Sequence, residues 1–405
     1  MTRVAITGMG AVSAAGIGAD ALWAAARDGR SGVRPIDFPR SESLRVRIAA
    51  NVPDFDAVAL LGGAVPRTSE RFTQFALVAA AEAVAQARIP AADLAGRRSA
   101  AIIGTGVGGV GTIDDNCYLF YSDNHPGVRG EPMSVPRVMP SSAVSHVSIA
   151  HGITGPSFGI VSACASGAQS IGVAAQMIRA GMVDRALAGG TEACITPVTM
   201  RGWEMLRVLS PRDCRPFSAD RTGMVIGEGG AVFVLESEES MLARGATPLA
   251  WLDGYGTSSD ASDMIQPDVD GAAAAIREAM GIAGVSPAEV GYVNAHGTGT
   301  VLNDANEAAA LRAVFGDHLD RIPVSSSKPI LGHTLGAAGA LELIVAVQAL
   351  RHQTVPPQAN FTRPDPKCPL FLPTGAALTA NLDVVLSNSF AFGGINATLL
   401  VRRAA

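Results

Sequence analysis

One plan occurs in each half of the chain: a β-branched run, a sharp turn of small residues, then an Ala-rich helix. Ser162–Ile171 (SACASGAQSI) follows it, and Ser325–Leu343 (SSSKPILGHTLGAAGALEL) follows it again one half later. Around these, short apolar runs alternate with amphipathic stretches and glycine turns. Strands are expected at Val4–Thr7, Ala100–Gly104, Gly159–Ser162, Ala186–Gly190 and Gly230–Leu235, then at Leu249–Tyr255, Gly291–Asn294, Pro323–Ser327, Val384–Phe390 and Ala397–Arg402. Helices are expected at Glu70–Arg88, Ala165–Arg179, Ala272–Met280 and Gly336–Leu350. Such alternation predicts an α/β fold with largely parallel pairing. A chain of 405 residues suits two similar halves or one large layered core. The break is placed near Arg244–Pro248, giving halves 1–247 and 248–405. No low-complexity linker separates them, so the halves are expected to share a core.

Hydrophobic residues make up 48% of the chain and charged residues 17%, which predicts extensive burial, an oligomer interface included. A net charge of -5 without any basic block gives no electrostatic case for nucleic acid, and 5% aromatics supply no base-stacking platform. The N-terminal run lacks the apolar core of a signal peptide. No uninterrupted apolar stretch reaches the roughly 18 residues of a spanning helix. A soluble, cytoplasmic protein without membrane insertion is expected. The five cysteines (117, 164, 194, 214 and 368) are scattered and fit neither a disulfide framework nor a CxxC metal site.

Four segments can carry chemistry. In Val161–Gly167 (VSACASG), Cys164 stands at a strand-to-helix turn, where unpaired helical N–H groups favour thiolate. A buried structural cysteine is the commoner fate of a free thiol, and the other four cysteines are assigned to it. In Val293–Thr300 (VNAHGTGT), His296 ends a strand, a position that faces a ligand crevice; an ordinary polar loop is the alternative. Asp304 and Glu307 downstream can hold this loop by hydrogen bonding. No second ligand lies at helical spacing from His296, so no metal site is expected. Ser325–His333 (SSSKPILGH), running on to Glu342, combines a lysine, a histidine and a carboxylate. Lys328 is one of only two lysines among 31 basic residues, so a compact ammonium is expected to matter there. In Ser387–Asn396 (SNSFAFGGIN), Gly393 and Gly394 can expose backbone N–H groups and Phe392 can cover a pocket; a plain hairpin turn is the alternative.

A thiol, two histidines and exposed N–H groups suit carbon–carbon bond formation on acyl thioesters. Cysteine supplies the electrophile by transthioesterification. Decarboxylation of a malonyl thioester supplies the carbanion, and two histidine N–H groups stabilise the enolate. No metal or organic cofactor is required.

SACASG, NAHGTGT, KPILGH and SFAFGGIN, with CRPFSADRTGMVIGEG at Cys214–Gly229, resemble the β-ketoacyl-[acyl-carrier-protein] synthases of the type I/II group. The resemblance spans almost the whole chain. NDANEAAALRAVFGDH (Asn303–His318) is similar to the nodulation protein E and type II polyketide ketosynthase branch. It implies the thiolase fold, five layers α-β-α-β-α, in a homodimer or a heterodimer with a chain-length factor. Substrates would arrive on the phosphopantetheine of acyl carrier protein. It further implies that Cys164 is acylated, and that the Cys164 and Phe392 N–H groups form the oxyanion hole. His296 and His333 would assist decarboxylation and condensation. Lys328 would lie beside His333 and hold the site with Glu342, Thr298 and Thr300 would contact the carrier arm, and Phe392 would gate the acyl tunnel.

Three features depart from the group. Ala391 and Ile395 stand where it has glycine and threonine, and Ala391 is expected to stiffen the gate. Pro140–His146, about one helical turn shorter than usual, would line the tunnel. The competing readings are a non-catalytic chain-length partner, disfavoured by the intact Cys164; a thiolase-type or Cys-His-Asn enzyme, disfavoured by two histidines; a thiol hydrolase, which requires a carboxylate-oriented base; and a carrier-binding scaffold, which leaves four motifs unexplained.

Overall fold

In the computed structural model, residues 2–122 and 132–404 are described. Ten strands build the frame. The first five are β1 (Val4–Ser13), β2 (Ser99–Gly104), β3 (Ser157–Ile160), β4 (Arg185–Glu192) and β5 (Gly229–Ser237). The second five are β6 (Ala250–Ser259), β7 (Val290–Asn294), β8 (Val324–Ser325), β9 (Val384–Ala391) and β10 (Ile395–Arg403).

The first five lie in the order β3-β2-β4-β5-β1 and the second five in the order β8-β7-β9-β10-β6. One order thus occurs twice with matching directions. The sets touch edge to edge, where β1 meets β6 through Ala5 opposite Trp251 and Ile6 opposite Ala250.

Pairing is mixed, not largely parallel. β3/β2, β2/β4, β8/β7 and β7/β9 are parallel. The pairs β4/β5, β5/β1, β9/β10, β10/β6 and β6/β1 are antiparallel. Only three residues join β9 to β10; that length closes a hairpin and cannot make the crossover that parallel strands need.

Five helices complete the layers: α1 (Arg71–Ala87), α2 (Ser166–Arg179), α3 (Val269–Ala283), α4 (Val301–Phe315) and α5 (Ala338–His352). α1 covers β1 and β5 on one outer face. α3 packs on β6 and against α4 on the other. α2 and α5 lie between the sheets and touch each other. The stack is α-β-α-β-α. Every residue of α5 from Ala338 to Leu350 is buried, which explains an apolar pattern without a polar face. The stretch Leu335–His352 is long and apolar enough to cross a membrane, but 89% of it is buried inside the protein.

Two expected strands end early because the chain must leave the sheet at each turn. β3 stops at Ile160, and Ser166 Oγ then accepts from Ser162 N (2.9 Å) and donates to Ala163 O (2.7 Å). β8 spans only Val324–Ser325; Ser326 N donates to Gln358 Oε1 and Ser326 Oγ to Gly297 O, both at 2.8 Å. Both helix entries pass through a short 3-10 turn, Ala163–Ala165 and Leu335–Ala337. Each turn holds a non-glycine residue at positive φ, Ala163 at 50° and Leu335 at 44°. The turns approach so closely that a Cβ on Gly167 would come within 2.8 Å of Gly336 O.

Candidate active site

Cys164 sits on the first of these turns, at the entry to α2 and 6% exposed. Its Sγ lies 3.0 Å from His333 Nε2, and Phe392 lines the same cavity. Burial pushes the thiol up to about 12; Lys328 pulls it down, while Glu192 and Glu342 oppose that pull. Burial thus opposes the thiolate that a helix entry favours. His333 is also held well below its usual value, by burial and then by Lys328.

His296 follows β7 on a tightly held loop. His296 N and Gly297 N both donate to the Glu307 carboxylate at 2.8 Å, and Asn388 Nδ2 donates to the same group at 3.3 Å. Asp304, one helical turn earlier on α4, accepts from Gly299 N (3.1 Å) and Phe217 N (2.8 Å). Thr298 and Thr300 hydroxyls lie 2.9 Å apart at the same cavity as His296.

Lys328 stands elsewhere than its neighbourhood in sequence implied. Its Nζ lies 3.3 Å from His296 Nδ1 and also hydrogen bonds to the His296 carbonyl and to Glu342 Oε1. It hydrogen bonds to the first histidine, while its charge also depresses the second. The single turn Lys328–Leu331 points the ammonium inward, and Gly332 at φ 65° then redirects the chain so that His333 meets Cys164. With Nδ1 taken as acceptor, His296 carries its proton on Nε2. Burial, then Lys328 and His333, hold His296 well below its usual value, and burial raises Glu342 to about 7 against the pull of Lys328.

The two imidazoles are 5.3 Å apart and edge-to-face. Cys164, His296, His333, Thr298, Thr300 and Phe392 all line one cavity with about 1120 Å³ of empty space, open mouth included. The Phe392–Gly394 segment is the hairpin turn between β9 and β10. Gly393 (φ 80°) and Gly394 (φ 66°) supply the left-handed positions. Ala391 instead pairs opposite Ile395 within the strands, so the turn's left-handed positions do not fall on it. Pro140–His146 is absent from the residues lining this cavity; Ala143 and Val144 belong to the outer core with α1.

Three contributors were missed from sequence. Glu192 is fully buried and accepts from Thr105 Oγ1 (2.9 Å), Gly106 N (2.6 Å) and Gly336 N (3.0 Å), tying the chain that leaves β2 to the second turn. An acid just past a buried strand (AGGTE) was the available signal. Trp203 lies against Phe392 with ring centroids 5.7 Å apart. Asp260 accepts from Asn396 Nδ2 (2.7 Å) and donates its N–H to Gly394 O (2.8 Å), so it braces the turn; nothing local marked either of these two.

Residues 1–240 match the family model "Beta-ketoacyl synthase, N-terminal domain", and residues 249–362 match "Beta-ketoacyl synthase, C-terminal domain". The chain belongs to the beta-ketoacyl synthase family. It is 41% identical to nodulation protein E of Rhizobium leguminosarum bv. trifolii, over 99% of each chain. It is 38% identical to 3-oxoacyl-[acyl-carrier-protein] synthase 2 of Coxiella burnetii, over 99% of this chain and 98% of that one. The solved ishigamide ketosynthase/chain length factor superposes with a TM-score of 0.95 at 35% identity, covering 100% of both chains. The synthase thus has the thiolase fold and is a carbon–carbon bond-forming acyltransferase.

Proposed function

We propose that this synthase elongates an acyl chain by decarboxylative condensation with malonyl-acyl carrier protein, in fatty-acid or type II polyketide or polyene assembly. The observation that carries the proposal is the 3.0 Å contact between Cys164 Sγ and His333 Nε2, with His296 beside them. In the loading half, Sγ attacks the carrier thioester while its proton passes to His333 Nε2 and on to the departing carrier thiol. The Cys164 and Phe392 N–H groups receive the oxyanion. Once Sγ is acylated, Nε2 no longer accepts from the thiol, and the neutral His333 ring presents its single proton there after exchange of the Nδ1 proton through solvent.

In the second half the malonyl C–CO2 bond breaks, and the enolate oxygen is held by the Nε2–H groups of His296 and His333. The carbanion attacks the acyl carbonyl and expels the Cys164 sulfur, which regains a proton from solvent through His333. Lys328 and Glu342 set the His296 tautomer, Glu307 and Asp304 fix its loop, Thr298 and Thr300 meet the phosphopantetheine arm, and Phe392 with Gly393 and Gly394 gates the cavity. The chemistry needs no metal or organic cofactor.

The proposed setting is cytoplasmic, with acyl carrier protein as substrate carrier. The proposed assembly is a homodimer or a heterodimer with a chain-length factor, in line with the ketosynthase and chain length factor of the ishigamide structure. The division into halves 1–247 and 248–405 is part of the same proposal, supported by the repeated strand order.

Two variants separate the half-reactions. Cys164→Gln, whose amide occupies the acyl position, is expected to keep releasing carbon dioxide from malonyl carrier while condensation stops; loss of both would contradict the scheme. His333→Ala is expected to slow carbon dioxide release by about 10²–10³-fold, the usual cost of one oxyanion donor. Near-normal release would remove His333 from the decarboxylation step.

A further inference from the structure

Aromatic residues make up only 5% of the chain, yet Trp203, Phe390 and Phe392 all line the cavity that holds Cys164. Two of them touch. The Trp203 and Phe392 rings have centroids 5.7 Å apart and planes tilted by 31°, within the range where aromatic pairs attract. The condensation scheme uses Phe392 as a gate and leaves Trp203 without a task. Trp203 is the fixed member of the pair. Its helix, Pro197–Met205, starts from Thr196, whose Oγ1 accepts from Thr199 N at 3.3 Å. Near the other end Glu204 accepts from Arg45 N (2.6 Å) and Val46 N (2.7 Å). The half-buried indole packs against the apolar cluster that contains Cys164, Met200, Leu209 and Met224. Phe392 stands on the turn instead. Gly393 N donates to Met264 O, and Gly394 O accepts from Asp260 N, both at 2.8 Å. The backbone beyond Phe392 is therefore held, and its side chain is the part free to change rotamer.

We infer that Trp203 is a specificity-determining residue. Its ring latches Phe392 while Cys164 is free, and an acyl chain loads readily only when it is long enough to take the place of Phe392 against the indole. An aromatic contact of this kind is worth about two- to twelve-fold in an equilibrium, and burial of one methylene about four-fold. A chain that lays two or more methylenes on Trp203 thus offsets the lost ring contact. An acetyl group, which has no methylene, does not. The inference rests on the acylation of Cys164 proposed above and adds which acyl groups that step accepts.

Rates of acyl loading from octanoyl and acetyl carriers test the selectivity. Wild type is expected to prefer octanoyl. Trp203→Ala is expected to narrow that preference by about ten-fold, the scale of one aromatic contact, with acetyl loading faster than in wild type. Trp203→Phe, which keeps a ring, is expected to retain most of the preference. A helix that had merely lost its place would slow both primers together. That result, an unchanged ratio in Trp203→Ala, or a wild type that loads both primers alike would overturn the inference. Tryptophan fluorescence reads the contact in wild type itself. Of the three tryptophans, Trp23 stacks on His352 at 5.3 Å and Trp251 lies under the Arg3 guanidinium at 3.8 Å, and neither lines the cavity. Octanoylation is expected to shift the emission, and the shift is expected to vanish in Trp203→Phe at equal acylation. Emission unmoved by octanoylation, or a shift that survives in Trp203→Phe, would also overturn it. Mass analysis of the same samples separates these outcomes from failure of the condensation proposal, which would leave Cys164 unacylated.

Discussion

Cys164→Ala is expected to fold normally and to lose acyl loading and chain elongation to background. The turn that holds the residue is set by backbone and by Ser166, so alanine fits it, and melting should be little changed. The chemistry, by contrast, has no substitute nucleophile. Cys194, Cys214 and Cys368 are buried, none of them lines the cavity, and burial raises the thiol of each. Removal of a nucleophile that works as a unit with its base typically costs orders of magnitude. Transfer of radiolabelled acyl groups from carrier and formation of the extended product report the two losses. Elongation by the alanine variant would contradict the assignment.

The second large effect is expected at Glu342. Lys328 and Glu342 are 0% and 1% exposed and form an ion pair that no water reaches. Glu342→Ala leaves the ammonium without its carboxylate, and breaking a buried pair from one side costs about 3–5 kcal/mol. Denaturant unfolding should register that loss together with a fall in condensation rate, because His296 Nδ1 loses a positioned donor. Replacing both members with apolar residues, Lys328→Met and Glu342→Leu together, should recover much of the stability and none of the His296 support. Equal stability of Glu342→Ala and wild type would show that the pair is not what holds this part of the core.

Most strands and helices were legible because buried β-branched runs and Ala-rich helices repeat in both halves. Glu70–Arg88 was placed almost as it stands, since its apolar residues face the core. Sheet direction was not legible: alternation along the chain does not say that β1 is antiparallel to both of its main neighbours, β5 and β6. The segments holding Cys164, His296, Lys328, His333, Glu342 and Phe392 were marked by chemical type and by small flanking residues. Their wiring was not, because it depends on where a turn points a side chain. Lys328 is five residues from His333 yet hydrogen bonds to His296. The balance of effects on the Cys164 thiol was not legible for a similar reason: a helix entry is visible in sequence, whereas the burial that pushes the thiol up to about 12 is a property of the whole fold. Glu192 was overlooked because its partners, Thr105, Gly106 and Gly336, are distant in the chain and mostly backbone.

Intact-mass and peptide mass analysis of the synthase with acyl carriers tests the central claim most directly. Incubation with acyl carrier alone is predicted to add one acyl group, located on the peptide that contains Cys164 and on none of the other four cysteines. Adding malonyl carrier should then clear that adduct, release carbon dioxide and leave the carrier two carbons longer as a 3-oxoacyl thioester. Product formed with no adduct on Cys164, or an adduct found instead on exposed Cys117, would contradict the account.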